Sequence, residues 1–362
     1  MASHVATDLL IQNLFFYPET GSSLCEKLND CYQQFSDSLQ GKFFTRQSII
    51  KQTIFIAVSD NPEYFQSKQK LLLCAKDFFG ELPPTSILAQ SPENNSLAVE
   101  FTYIEGIQSD ELSRKQNDES SWLVIDRDKT KIVIVAGLGS SNEHENILLQ
   151  SEAAFRQLHQ ILIEEKMEFS DIVRQWNYIE QITGTTDENN SPSQHYQIFN
   201  DVRTKYYQFS KFLNGFPAAT GIGTDFGGIS IDFIAAKPED EKSIVAVKSP
   251  VQHDAYKYSQ EVLAENNSMC DFCRTTPKFE RAKILITEAR KWIFISGTAA
   301  ISGQASADTP SVEHQTEMTI RNILSLISSE NLAKHEIISS EEAIPESLRV
   351  YVKYKNVSSS GV

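Results

Sequence analysis

The chain has no apolar run of membrane-spanning length, and its opening residues, MASHVATDLLIQNLFFYPE, contain neither a basic n-region nor a cleavage-like site. A spanning helix and a secretory leader are therefore not expected, and a cytoplasmic location is. Positive charge is also scarce. With 33 Lys and Arg against 48 Asp and Glu, net −15, no broad cationic surface is available for nucleic acid or an anionic membrane. An anionic small molecule would need a local cluster of arginines. The five cysteines are odd in number and irregular in spacing, which fits a reduced protein better than a disulfide scaffold. CDFC (Cys270 to Cys273) has metal or redox spacing, but no second ligand pair comes after it. The seven histidines form no HxxxH or HExxH pattern, so no metal site is expected. TGIGTDFGG lacks GKS/T and opens no helix, which argues against a phosphate loop. PEDEK (Pro238 to Lys242) reads as a solvated turn.

What the sequence does have is 362 residues that are 40% hydrophobic, enough for two ordinary domains. Its densest run of polar residues that hydrophobic patterning leaves unexplained lies between Asp171 and Lys237. This run reads as a strand (Asp171 to Ile179), then a helix (Gln194 to Leu213) with Tyr196, Phe199, Val202, Tyr206 and Phe209 on one face and Arg203 on its flank. Two short strands come next, around the Gly-rich turn of GFPAATGIGTDFGGISIDFIAAK (Gly215 to Lys237), with Gly227-Gly228 as a hairpin turn. The small residues Ala218, Ala219, Thr220, Gly221 and Gly223 leave room for a ligand or another strand to approach the backbone.

In chain order, residues 1–50 are weakly patterned, and Phe43-Phe44 suggest a segment that packs against the domain C-terminal to it. Gln52 to Ser59 predicts a strand, and Glu63 to Gly80 a helix closed by glycine. Ser86 to Ser91 with Ser96 to Ile104 predicts a hairpin, as does Ser121 to Arg127 with Lys131 to Leu138. A helix from Glu145 to Lys166 comes next. The second half repeats this order. QSEAAFRQLHQIL (Gln150 to Leu162) aligns without gaps on QTEMTIRNILSLI (Gln315 to Ile327), KIVIVAGL (Lys131 to Leu138) on KWIFISGT (Lys291 to Thr298), and VRQWNYI (Val173 to Ile179) on LRVYVKY (Leu348 to Tyr354). The fold expected is α+β, two tandem units, each a mainly antiparallel sheet with helices on one face. The expected division is an N-terminal unit over 1–170, a connecting strand and helix over 171–214, and a C-terminal unit over 215–362. The first-half strand is followed by a further helix and strand, whereas the second-half strand runs into NVSSSGV. Either the second unit lacks these elements and leaves an edge open to self-association, or it is shorter by design.

The order RQWNY, YxxFNxxR (Tyr196 to Arg203), PAATGIG (Pro217 to Gly223), KFERA (Lys278 to Ala282), ISGTAAISG (Ile295 to Gly303) and QT (Gln315, Thr316) resembles the chorismatases. The likeness is good over about Asp171 to Lys355 and mainly architectural before that. These are Rid-like (YjgF-like, chorismate mutase-like) proteins. They hydrolyse chorismate to pyruvate and a dihydroxycyclohexadiene carboxylate or a hydroxybenzoate, in aromatic secondary metabolism, without a metal or organic cofactor. The resemblance implies an anionic small-molecule substrate and, as its ligands, Arg203, Arg281, Arg274 and Ala282, since planar guanidinium groups pair with carboxylates through two hydrogen bonds. Tyr178 and Thr220 are candidate hydroxyl partners. Each of these side chains could equally be satisfied inside the fold. The resemblance also implies a catalytic glutamate on a last strand resembling CRxDLLVEIE, and no such segment occurs in the sequence. The catalytic residue is thus unassigned, and the readings open are an active enzyme, a Rid-like protein binding an aromatic carboxylate without turnover, and a truncated copy of an active chorismatase.

Overall fold

The computed structural model describes residues 10–39, 48–107, 110–188, 191–263, 274–288, 290–307, 311–338 and 342–351. Phe43-Phe44, CDFC and NVSSSGV lie outside them. Three sheets carry the architecture. The first has β1 (Leu10–Phe16), β2 (Ile49–Ile56), β3 (Thr85–Leu88) and β4 (Leu97–Glu105) in the order β1-β4-β2-β3, with helices α1 (Leu24–Ser38) and α2 (Asn61–Phe79) between its strands.

The second sheet is the complete one. β5 (Leu112–Gln116), β6 (Ser121–Arg127) and β7 (Thr130–Leu138) form a meander; helix α3 (Ile147–Glu164), β8 (Ile172–Glu180) and a small hairpin of β9 (Thr185–Glu188) and β10 (Ser191–Gln194) come after it. Then come helix α4 (His195–Tyr207), β11 (Ala218–Thr224) and β12 (Ile229–Pro238), giving the strand order β11-β8-β12-β7-β6-β5. The third sheet is a meander of β13 (Ile244–Val247), β14 (Ala282–Ile286) and β15 (Lys291–Ile295), with the one-turn helix α5 (Gln260–Leu263) between its first two strands and α6 (Val312–Ile327) after its last. The sheets are antiparallel except at β2–β3 and β8–β11.

Those two parallel pairs correct the sequence reading. Neither Ser86 to Ile104 nor Ala218 to Lys237 folds as a hairpin. β3 pairs with β2, and β4 returns on the opposite side of β2. Likewise β11 and β12 flank β8 from opposite sides. The reason is the preceding helix: a strand, a crossover helix and a parallel strand form one unit, and the last strand takes the edge that remains. The hairpin of β6 and β7 is antiparallel as expected, and so is its second-half counterpart of β14 and β15. The boundaries expected at 170 and 214 fall inside the six-stranded sheet, which takes β8 and α4 as integral elements. The repeat of meander and helix holds, with β13-β14-β15-α6 matching β5-β6-β7-α3 in order. Leu348 to Tyr351, the described part of the repeat's last strand, is not in a sheet.

The helix ends follow their side chains. Ser23 and Glu26 form a capping box on α1, Asp60 caps α2 with Pro62 behind it, and Gly80 at φ 74° closes it. The helices cover one face of each sheet: α1 and α2 the first, α3 and α4 the second, α6 the third. The helix-free faces meet each other, with Ile50 and Ile104 of the first sheet packed on Ile125 and Ile134 of the second, and Val173 and Ala236 on Ile244 and Leu285 of the third. A cavity lined by Ile50, Ile104, Ile134, Ile234, Leu285 and Phe294 marks where all three converge. Among the described residues, Cys25 of α1 and Cys74 of α2 form a disulfide, which the reduced-thiol reading did not anticipate. Their helices pack together, which sequence spacing alone does not reveal. No helix is long and apolar enough to cross a membrane among the described residues.

Candidate functional site

The RQWNY stretch forms β8, and strand alternation sends its side chains to two faces. Gln175 and Asn177 point to the helix-covered side. There Gln175 accepts a hydrogen bond from the Tyr207 hydroxyl at 3.0 Å and donates to Asn177 at 2.6 Å. Asn177 in turn donates to the Thr220 carbonyl of β11 at 3.1 Å. Arg174, Trp176 and Tyr178 point the other way, into the space between sheets. Arg174 is 7% exposed; its Nη2 donates to Thr220 Oγ1 at 2.6 Å, and its guanidinium lies 4.4 Å from the centre of the Trp176 ring. Burial pulls Arg174 down to about 10, still protonated at neutral pH.

β11 is also where the second and third sheets join. The Gly297 amide donates to the Ala219 carbonyl at 3.1 Å, the Ala219 amide to Ser296 Oγ at 2.8 Å, and the Glu280 amide to the Pro217 carbonyl at 3.1 Å. A methyl group on Gly297 would stand 2.5 Å from Thr220 Cγ2. Glycine in SGT is therefore a close-approach residue, and this explains the small side chains of PAATG as well. What approaches their backbone is another strand.

The predicted ligands distribute around this seam in separate places. Thr220 and Tyr178 share a face with Arg174. The Tyr178 hydroxyl accepts from Arg349 Nη1 at 3.2 Å, and burial raises its pKa well above the ordinary phenol range. Arg203, 1% exposed on α4, lies on the helix-covered side. Its Nη2 donates to Asn200 Oδ1 at 2.5 Å, and its buried Nε has no hydrogen-bond partner. Gln197 of the same helix binds Thr275 at 2.9 Å, which brings α4 against the segment leading to KFERA. Lys278 of that segment is lowered by burial and by the nearby Arg203 charge. Arg281, 4% exposed, donates through Nε and Nη2 to the His253 carbonyl at 3.0 and 2.6 Å and through Nη2 to the Tyr258 hydroxyl at 2.6 Å.

Two predicted ligands have structural occupations. Arg274 Nη1 donates to the Leu263 carbonyl at 2.6 Å, and the backbone of Arg274 is held by Gln260. Ala282 is buried in the third sheet's core with Val247, Ile284 and Leu326. Glu280, which sequence reasoning passed over, is 3% exposed. Its Oε1 accepts from the Phe216 amide, its Oε2 has no hydrogen-bond partner, and burial raises its pKa.

Sequence reasoning also missed Arg174, Lys51 and Asp232. Lys51 Nζ sits 2.6 Å from Asp232 Oδ2, and Asp232 Oδ1 accepts from Ser86 Oγ at 2.5 Å and the Gly137 amide at 2.8 Å. For Lys51 and Asp232 the signal was a charged residue inside a largely apolar strand, IIKQTIFI and ISIDFIAAK. Among the described residues no cluster of three or more His, Cys, Asp or Glu side chains could hold a metal ion.

Residues 109–235 match the family model described as chorismatase FkbO/Hyg5-like, N-terminal. The chain is 28% identical over 209 residues to a 3-hydroxybenzoate synthase of Streptomyces hygroscopicus, covering 56% of each chain. It is 32% identical over 142 residues to a chorismatase of Streptomyces rapamycinicus, covering 38% of this chain and 39% of that one. The matched stretches thus span between about two fifths and just over half of these relatives' own length. A crystal structure of a chorismatase superposes with a TM-score of 0.60 at 17% identity, covering 93% of this chain and 83% of that one. Residues 109–235 are thus similar to the chorismatase FkbO/Hyg5-like N-terminal domain, and the chain is chorismatase-like in sequence and in fold.

Proposed function

We propose that this protein is a cytoplasmic hydrolase of aromatic secondary metabolism that binds chorismate at the seam between the second and third sheets and cleaves its enol ether to release pyruvate. The observation that carries this reading is that Arg203 and Arg281 are buried guanidinium groups with no carboxylate partner among the described residues. An unpaired buried charge is costly, several kcal/mol on the order-of-magnitude scale for buried ions. A substrate with two carboxylates would supply the missing anions. The ring product is a dihydroxycyclohexadiene carboxylate or, after loss of one water, a hydroxybenzoate.

Cleavage needs an acid to protonate the enolpyruvyl methylene; water then adds to the oxocarbenium carbon, and the hemiketal collapses to pyruvate and the ring alcohol. The described carboxyl best suited to the first step is Glu280, adjacent to Arg281 in sequence, raised by burial and with one oxygen unpartnered. Its depth favours a second reading, in which the site binds an aromatic carboxylate without turning it over. Self-association through the third sheet is compatible with either.

The test is pyruvate release from chorismate by the full chain, coupled to lactate dehydrogenase and compared with a no-protein control. Turnover above the control that falls at least a hundredfold in Glu280→Gln supports hydrolysis with Glu280 as acid. Turnover that survives Glu280→Gln removes Glu280 and keeps the hydrolase. No turnover by folded protein that still binds chorismate selects the second reading.

A further inference from the structure

The first two units align residue for residue at their central strands. β2 reads IIKQTIFI and β8 reads IVRQWNYI, so Lys51 and Arg174 hold the same position. Each strand has a parallel neighbour on one side and an antiparallel one on the other. On the antiparallel neighbour a carboxylate stands opposite the residue two beyond the cation: Glu100 opposite Thr53, and Asp232 opposite Trp176. The repeat that aligns VRQWNYI with LRVYVKY puts Arg349 in the same position again. The first sheet, the second sheet and the C-terminal segment thus contribute one cation each to the space between sheets, and the two sheets contribute one carboxylate each.

The pairing runs between units. Lys51 of the first unit pairs with Asp232 of the second, and Arg349, from the C-terminal segment, pairs with Glu100 of the first. Arg174 belongs to the same cluster, since its charge and that of Arg349 both press on Lys51. It has no carboxylate partner among the described residues; its guanidinium donates to Thr220 and to the Gln175 and Ala218 carbonyls, lies over the Trp176 ring, and interacts electrostatically with the Tyr178 and Tyr351 hydroxyls. Among the described residues three buried or half-buried cations face two buried carboxylates, so the described cluster is one anion short.

We infer that Arg174, with Thr220 and Trp176, is a carboxylate-binding site, occupied by the carboxylate of an aromatic or cyclohexadiene acid where the other two cations take Asp232 and Glu100. The Lys51–Asp232 pair shows the contact that the ligand would reproduce: a carboxylate against a strand cation, with a neighbouring hydroxyl and amide donating to it, as Ser86 and Gly137 do to Asp232. Trp176 lies under the guanidinium and supplies an apolar surface for a ring. The inference takes its chemical class of ligand from the proposed function, and nothing from turnover.

The test uses the full chain, with 3-hydroxybenzoate and the uncharged isostere 3-hydroxybenzamide as probes, read by calorimetry and by ligand-induced shift of the melting temperature. Wild type is expected to bind the acid and not the amide. Arg174→Gln is expected to weaken the acid at least tenfold while the ligand-free melting temperature stays level or rises, because a buried unpaired charge has been removed. A purely structural arginine would lower it. Arg174→Lys, which keeps the charge and loses the planar fork, should bind three- to tenfold more weakly, and it decides the matter if the glutamine variant does not fold. Equal binding of acid and amide, no binding by wild type, or undiminished affinity in the folded Arg174 variants overturns the inference. Binding through Arg174 without pyruvate release upholds the site and removes the hydrolase; pyruvate release that is indifferent to Arg174 does the reverse.

Discussion

Replacing Asp232 by asparagine isolates the ion pair between the first and second sheets. The two carboxylate oxygens have separate duties: Oδ1 accepts from Ser86 and the Gly137 amide, and Oδ2 faces Lys51 at 2.6 Å. An asparagine can keep the first oxygen and turn its amide toward the ammonium. The charge is lost, and with it the acceptor that faces the ammonium, in a place where Asp232 is fully buried and Lys51 is 8% exposed. Removing one partner of a buried pair costs about 3–5 kcal/mol because the other is left uncompensated. In a chain of this size that lowers the melting temperature by on the order of 10 °C.

The double variant Lys51→Met/Asp232→Asn should recover most of the loss, since a methionine can pack on Trp176 where the ammonium now sits 4.7 Å from the ring. The deficit of the single variant should also depend on pH. Lys51 is already depressed by burial, and losing Asp232 depresses it further. Between its folded and unfolded pKa the unfolded chain holds the extra proton, so stability rises with pH there. The deficit therefore shrinks as pH climbs toward the ordinary lysine range. Urea unfolding of the three proteins at neutral and alkaline pH measures all of this. A single-variant cost below about 1 kcal/mol, or a double variant no better than the single, would refute the reasoning.

Gly137 sits at φ 76°, and a methyl group there would stand 2.2 Å from the Thr85 carbonyl oxygen; Gly137→Ala should cost at least about 2–3 kcal/mol in thermal unfolding, from the left-handed backbone and the displaced β3 together. Lys283 is fully buried and held near pH 8, with burial as the main cause. Its folded value lies below the ordinary 10.5, so the unfolded chain binds the extra proton and stability should rise from about pH 8 to 10.5; Lys283→Met should remove that rise in a pH series of melts. Phe155 and Ile320 occupy equivalent positions of α3 and α6, yet Phe155 is fully buried against Phe199, Tyr206 and Tyr207 whereas Ile320 is 42% exposed. Phe155→Ala should cost about 3–5 kcal/mol and Ile320→Ala less than about 1, by denaturant unfolding.

Several residues of the candidate site could be named from the sequence one at a time. Arg203 and Arg281 were singled out from their motifs, and both are buried arginines without a carboxylate partner among the described residues. Tyr178 and Thr220 share a face, as alternation on β8 and β11 requires. Arg174 sits in the same RQWNY stretch and was passed over, because a basic residue beside apolar ones looks the same whether it faces water or another sheet. Lys51, Glu100 and Asp232 stand far apart in the chain, and no local pattern links them. Their relation rests on strand register, which is set by pairing partners distant in sequence.

By itself the sequence determined the α+β class, most of the strands and helices, the repeat of meander and helix, and the likeness to chorismatases. Periodicity and short motifs are local, and each of these can be read from a window of a few turns or strands. Tertiary structure alone decided that β3 and β11 run parallel to their predecessors, that β8, β11 and β12 lie within one sheet, and that, among the described residues, the first two sheets and the C-terminal segment close on a cluster of three cations and two carboxylates. Strand partners are chosen by the burial of whole faces and by the reach of crossover helices. Those energies belong to contacts between segments far apart in the chain, and neither segment alone encodes them.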